Sequence, residues 1–229
     1  MTECIILDAG GVICYPRPGD WLTPVRFEEI IGENRLSAVT PGELAAAKAE
    51  SAKIYLDESL MLPDETWEFA ARRNYFLDLA KRLSWTLTDR EADVLARDMT
   101  ENDSRYGFYD DARTALDEMR GMAALGLLSD TMPSLKRVFD CAGLLELFDG
   151  VVISCDVGAT KPDEKPYRAI LKYLDADPAS CVFCDDRTDN LETARRLGMR
   201  AVHMCRAGES GWQGERVSDL WELVRLLRK

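Results

Sequence analysis

The sequence predicts an α/β fold: a parallel sheet with helices on both faces, interrupted after its first strand by an inserted α-helical subdomain. Three observations carry this expectation. The chain opens on an apolar strand, Ile5-Ile6-Leu7, that ends in Asp8 and a glycine turn; residues 16–104 show helical patterning; from about residue 110 short apolar strands alternate with helices. Apolar runs without polar alternation mark strands buried on both faces, as parallel strands are.

In chain order, Tyr15-Pro-Arg-Pro-Gly-Asp20 is rich in turn formers. Thr40-Pro-Gly-Glu43 and Thr88-Asp-Arg-Glu91 are capping boxes, the first with proline at the first helical position. Between them Pro63 begins an amphipathic stretch carrying Trp67, Phe69, Phe76 and Leu79. The spacing then predicts a helix over 111–120 stopped by Gly121, a strand over 123–128, a helix over 133–142, a strand over 151–154 and a helix over 164–174. A strand over 181–184, a helix over 189–197 closed by Gly198, a strand over 201–204 and a helix over 217–227 complete the pattern. Residues 1–15 and 105–229 are thus expected to form the core and 16–104 a helical lid, placed over the carboxyl ends of the strands, where such sheets bind ligands.

At 229 residues the chain can bury a core for one α/β domain plus the insertion. A net charge of −12 without a lysine and arginine cluster argues against nucleic acid and anionic membranes as partners. No basic segment precedes the first apolar run, and Asp8 breaks that run, so neither a secretory signal nor a membrane span is expected. A cytoplasmic monomer or homodimer is. The seven cysteines have no disulfide-framework spacing and are expected to be buried thiols. Cys181 and Cys184, three apart on a strand, point to opposite faces rather than forming a site.

The strand ends carry the chemistry. A carboxylate closing a buried strand is costly unless a cation or a reaction uses it, and Asp8 has no cap or turn role that requires acid. It reads as a nucleophile or a metal ligand. Two positions on, where a second carboxylate could act as general acid and base, Gly10 offers only its backbone. Ser129 can donate to an anionic oxygen, with Asp130 beside it; Lys161, followed by Pro162, can place positive charge near a phosphate; Asp185-Asp186 suits a hard cation with oxygen ligands. Each has an ordinary alternative: Ser129 a turn residue, Asp130 a cap for the helix near Pro133, Lys161 a solvated loop lysine, Asp185-Asp186 a cap for the helix near Asp189. Four such ends in one predicted sheet favour a site.

The ordered set Asp8-x-Gly-Gly-Val, Leu128-Ser129-Asp130-Thr131, Thr160-Lys161-Pro162-Asp163 and Phe183-Cys-Asp185-Asp186-x-x-x-Asn190, with Leu197-Gly198-Met199 after it, resembles the haloacid dehalogenase-like hydrolase superfamily. The resemblance covers essentially the whole chain and is to phosphatase-like members with a helical cap, similar to bacterial glucose-1-phosphate phosphatases. It implies a Rossmann-like core, Mg²⁺, and hydrolysis of a small phosphorylated metabolite through an aspartyl-phosphate on Asp8. By the same resemblance Asp8, the Gly10 carbonyl and Asp186 hold the metal, with Asp185 adding a direct or water-mediated contact. Ser129, Asp130 and Lys161 surround the phosphate, Lys161 also orienting the carboxylates, and Asn190 supports them.

Most such phosphatases carry aspartate where this chain has Gly10, and general acid and base catalysis is worth on the order of 10² to 10⁴ in rate. Good leaving groups are therefore expected to be preferred. His203, in the strand over 201–204, is expected to be a structural histidine beyond the site; water, Asp130, Tyr15 and Asp20 remain as proton carriers. Two other functions compete. A 2-haloacid dehalogenase would attack carbon through Asp8 without metal and would not need the acid pair, and a regulatory protein would keep a phosphate pocket without turnover. Trp21, Arg26, Arg72, Arg73 and Tyr75 could line the cap, but each by itself is expected in core or solvent.

Overall fold

The computed structural model describes residues 2–58, 61–206, 208 and 211–229, with the backbone alone for 54–58. The chain runs through β1 (Cys4–Leu7), β2 (Cys14–Pro16), α1 (Phe27–Ile31), α2 (Glu33–Leu36), α3 (Pro41–Glu58), α4 (Glu65–Arg82), α5 (Asp89–Glu101), β3 (Tyr106–Phe108) and α6 (Ala112–Arg120). It continues with β4 (Ala124–Ser129), α7 (Ser134–Cys141), β5 (Gly150–Ile153), α8 (Ser154–Val157), α9 (Glu164–Tyr173), β6 (Cys181–Asp185), α10 (Thr188–Arg196), β7 (Arg200–Met204), β8 (Glu215–Val217) and α11 (Leu220–Leu227). By contacts it divides into one unit of Met1–Tyr15, Gly107–Thr131 and Leu135–Lys229, and a second of Pro16–Tyr106 with Met132–Ser134.

The first unit is an α/β, Rossmann-like fold. Its sheet has six parallel strands in the order β5-β4-β1-β6-β7-β8. Every side chain of β1 is buried, as its uninterrupted apolar run requires of a central parallel strand. Leu7 is level with Leu127 on one side and Cys184 on the other, so the residues that follow on β1, β4 and β6 emerge at one edge. On one face Cys4, Ile6, Phe183 and Leu128 pack with Tyr167, Ile170 and Leu191 of the covering helices. Gly126 permits this closeness, because a Cβ there would come within 2.9 Å of Leu174 and 3.2 Å of Ile170.

One element differs from expectation. Val217 belongs not to the last helix but to β8, and the helix starts at Leu220, where the Asp219 carboxylate accepts the Glu222 amide at 2.6 Å. A three-residue strand with two exposed polar positions carries too little periodicity to be read from sequence.

The second unit is helical, and both capping boxes form. Thr88 Oγ1 accepts the Glu91 amide at 3.2 Å while Glu91 Oε2 accepts the Thr88 amide at 2.8 Å, and Thr40 with Glu43 repeats the pattern at 3.2 and 2.7 Å. Helix α4 starts two residues after Pro63 because Asp64 caps it, accepting the Thr66 and Trp67 amides. Phe76 and Leu79 are buried as expected, but Trp67 is 60% exposed and its neighbour Glu68 is fully buried. The cause is ionic. Glu68 accepts a 2.5 Å contact from buried Arg72 and hydrogen bonds from the Ser134 amide and hydroxyl at 2.8 and 2.7 Å. Arg72 and Tyr75 are therefore core residues, whereas Arg26 pairs with Glu29, Arg73 with Asp89 and Asp93, and Trp21 packs on Tyr106 with ring centroids 5.5 Å apart.

Breaking a buried pair leaves an uncompensated charge. Glu68→Gln should cost about 3–5 kcal/mol in urea unfolding, and replacing both Glu68 and Arg72 with leucine should recover a large part of it. Glu91, whose carboxyl Arg35 and then Thr88 hold down from 4.5 to about 2, makes a pH prediction. Because the folded value is depressed, its contribution is present above pH 4.5 and fades towards pH 2. The stability difference between wild type and Glu91→Gln should shrink over that interval in unfolding series at matched ionic strength.

Candidate active site

Asp8 leaves β1 into a tight turn. Its amide is anchored on the Cys184 carbonyl at 3.0 Å, the Ile13 and Cys14 amides both converge on the Ala9 carbonyl at 2.8 and 2.9 Å, and the Gly11 amide donates to the Cys14 carbonyl at 2.8 Å. Gly11 has φ of +70° and a Cβ there would collide with the Asp186 carboxylate, so only glycine serves. The turn thus brings the first and last acidic strand ends together.

Lys161 ties the site. Its Nζ donates to Asp8 Oδ1 at 2.7 Å, Asp185 Oδ2 at 2.8 Å and the Leu128 carbonyl at 2.9 Å, which uses all three ammonium protons. The lysine backbone is held too, since Asp130 Oδ1 accepts the Lys161 amide at 2.9 Å. Asp130 is therefore a brace for Lys161 and not a helix cap, and Lys161 is buried and not solvated. Ser129 closes β4, buried, and its hydroxyl bonds to none of the described residues. The chain just beyond it is fixed by Ser154, whose hydroxyl accepts the Thr131 amide at 3.0 Å and donates to the Thr131 carbonyl at 3.1 Å.

Adjacent Asp185 and Asp186 differ in what they offer. Asp185, fully buried, accepts the Arg187 amide at 2.8 Å and the Asn190 Nδ2 on both oxygens at 3.1 and 3.0 Å, besides Lys161. Asn190 is steadied by Tyr167, whose hydroxyl donates to its carbonyl at 2.9 Å. Asp186 faces solvent, and its carbonyl accepts from His203 Nε2 at 2.9 Å. His203 is structural, as expected, but it is not beyond the site: β7 pairs with β6 so that His203 lies level with Asp185. That register is the signal that could have revealed it. Of the other proton-carrier candidates, Tyr15 packs on Tyr109 with ring centroids 5.0 Å apart, and Asp20 is committed to Thr23 and Lys48.

Among Asp8, Lys161, Asp185 and Asp186, three carboxylates face one ammonium. Burial pushes the Asp8 carboxyl up to about 7 against the pull of Lys161, with Asp185 and Asp186 adding to the rise. Partial desolvation, and then the Asp185 charge, lifts Asp186 to about 6. Although burial works against its charge, Asp185 and Asp8 raise Lys161 well above the usual lysine range. Acids crowded in this way are stabilised as anions by a further cation. Asp8, Asp185 and Asp186 each present an oxygen within 4.8 Å of the others, a donor set that fits a hard divalent ion. The open acceptors are the second oxygen of Asp8, bonded to none of the described residues, and the Asp186 carboxylate. Asp185 contributes charge while holding Lys161 and Asn190. No helix among the described residues is long and apolar enough to cross a membrane.

Comparison with known proteins accords with this geometry. The profile of the haloacid dehalogenase-like hydrolases matches residues 2–198. A phosphatase of Mycobacterium tuberculosis, MT3486, is 40% identical over 105 residues, 44% of this chain and 48% of that protein. The chain spans about half the length of that relative. Among solved structures, a HAD phosphatase from Thermococcus onnurineus superposes with a TM-score of 0.60 at 20% identity, covering 98% of this chain and 97% of the other. An L-2-haloacid dehalogenase from Xanthobacter autotrophicus, with chloropropionic acid covalently bound, does so with a TM-score of 0.69 at 17% identity, covering 100% and 99%.

Lys161→Met keeps the length of the side chain and removes the charge, leaving Asp8 and Asp185 opposed. Urea unfolding near pH 8 in chelator should show a loss of about 3–5 kcal/mol, and a loss below about 1 kcal/mol would mean the bridge is not what holds these strand ends.

Proposed function

The chain belongs to the haloacid dehalogenase-like hydrolases, and we propose that it hydrolyses a phosphate monoester of a small metabolite with Asp8 as the nucleophile. The observation that carries this is the Lys161 bridge, which clamps one oxygen of Asp8 and leaves the other open at the strand ends. The Asp8 carboxylate attacks phosphorus in line; the O–P bond to Asp8 forms as the bond to the leaving oxygen breaks, and water then cleaves the aspartyl-phosphate to release inorganic phosphate. Ser129, whose hydroxyl bonds to none of the described residues, donates to a phosphoryl oxygen, and Lys161, braced by Asp130, supplies positive charge beside it.

Asp8, Asp186 and the Gly10 carbonyl, with Asp185 behind them, would hold Mg²⁺. Bound there, the ion offsets the repulsion between an anionic nucleophile and an anionic substrate. Asn190 keeps Asp185 aligned through both oxygens. The likeness to a relative named as a phosphatase supports the phosphoryl substrate. Gly10 has no proton to give, so the leaving oxygen departs as an anion or takes its proton from water.

A phosphate-release screen over aryl, sugar and alkyl phosphates tests this directly. Activity should require added Mg²⁺, vanish in chelator, and fall by on the order of 10³-fold or more in Asp8→Asn. Turnover should decline steeply as leaving-group pKa rises, and a flat dependence would count against unassisted departure. Halide release from 2-chloropropionate that persists in chelator would favour carbon attack by Asp8 instead.

A further inference from the structure

Beyond the residues matched by the family profile, the segment after β7 sends one side chain back to the turn that follows Asp8. Arg206 donates to the Val12 carbonyl twice, from Nε at 3.1 Å and Nη2 at 2.7 Å. The other edge of its guanidinium meets the Asp111 carboxylate, Nη1 at 3.2 Å and Nη2 at 3.0 Å, and its flat face lies 3.7 Å from the centroid of the Tyr109 ring. Both charged side chains are largely buried, at 13% and 14% exposure. Asp111 is itself anchored, accepting the Leu220 amide at the start of α11 at 2.7 Å. Such a planar fork, paired on one edge and stacked on a ring, has few orientations open to it.

Val12 is two residues from Gly10 and adjacent to Gly11, whose backbone runs against the Asp186 carboxylate. Apart from Asp8, whose amide is held by the Cys184 carbonyl and whose carboxylate is held by Lys161, the other bonds of this turn among the described residues are made to its own backbone or, at Ile13, to the Tyr109 amide at 3.1 Å. Among the described residues, Arg206 is therefore the side chain that holds the backbone of the turn beyond Asp8 from outside. We propose that Arg206, held by Asp111 and Tyr109, is a positioning residue that sets the Asp8–Val12 turn and so the approach of Asp8 and the Gly10 carbonyl to Asp186. This rests on the phosphohydrolase function proposed above for its catalytic consequence, though not for its structural one. A misplacement of about 1 Å in a site of this kind costs on the order of 100-fold in rate.

Arg206→Lys keeps the charge and loses the fork, Arg206→Ala loses both, and Asp111→Asn loosens the arginine without touching the turn. Three readouts apply to each: hydrogen exchange of the 8–14 amides, Mg²⁺ affinity by calorimetry, and kcat and KM on an aryl phosphate. In Arg206→Lys we expect exchange at 8–14 to quicken at least about tenfold while the strands of the sheet keep their protection. Mg²⁺ affinity should fall several-fold, and kcat should fall about 10- to 100-fold with KM within about twofold. Asp111→Asn should move each readout in the same direction by less. Unchanged exchange at 8–14 in Arg206→Lys overturns the proposal, as does a loosened turn with wild-type Mg²⁺ affinity and kcat. Uniform loss of protection across the sheet also overturns it, since that is simple destabilisation. Where Arg206→Ala does not fold, the lysine variant decides. A wild type that releases phosphate from no substrate defeats the proposed function, while loosening of the turn and weakened Mg²⁺ binding in Arg206→Lys would still uphold the positioning role.

Discussion

Lys161 places an ammonium where water is scarce, between Asp8 at the end of β1 and Asp185 at the end of β6, with its third proton on the Leu128 carbonyl of β4. Each partner would be untenable alone. Burying a single charge costs several kcal/mol after relaxation, and here two carboxylates and one ammonium are buried together so that every strong donor is matched. The bridge crosses the three central strands of the sheet, and through it the positions of the nucleophile candidate, the acid pair and the Ser129 loop become one arrangement. Asp130, Asn190 and, through Asn190, Tyr167 extend that arrangement outward with neutral or singly charged contacts.

The sheet supplies the reason these residues can meet at all. From β1 the chain builds β4 and β5 on one side and then crosses back to place β6, β7 and β8 on the other, so the strand order reverses beside β1 and the carboxyl ends flank a crevice at that switch. Backbone chemistry completes it. Gly11 adopts a left-handed conformation and leaves room for Asp186 where any side chain would intrude. The turn around it is short, self-bonded and clasped from outside by Arg206. Gly10 keeps a carbonyl in that turn and provides no acid.

Much of this was legible before folding was considered. An uninterrupted apolar strand that stops at Asp8, and polar residues of useful type at the ends of β4 and β6, are local facts of sequence, because strand burial and strand termination are both written in short windows. Capping boxes at Thr40 and Thr88 are equally local. Glu68 was not legible: it sits beside Trp67 on an amphipathic helix, and hydrophobicity alone would bury the tryptophan, whereas Arg72 one turn away and Ser134 far along the chain bury the glutamate instead. The place of His203 beside Asp186 and the hold of Arg206 on Val12 were not legible for the same kind of reason, since each depends on a partner on another strand or turn.

What the sequence determined by itself was the alternation of elements, the carboxylates, hydroxyl and lysine at the strand ends, and the missing side chain at Gly10. These follow from propensity, periodicity and residue chemistry, which act over a few residues. Tertiary structure alone decided that Lys161 spends its three protons on Asp8, Asp185 and Leu128, that Asp185 turns inward while Asp186 faces solvent, and that Asp130 braces a lysine and caps no helix. Those outcomes depend on strand order and register, because only pairing across the sheet sets which buried charges lie within hydrogen-bond reach and therefore which ones can be compensated.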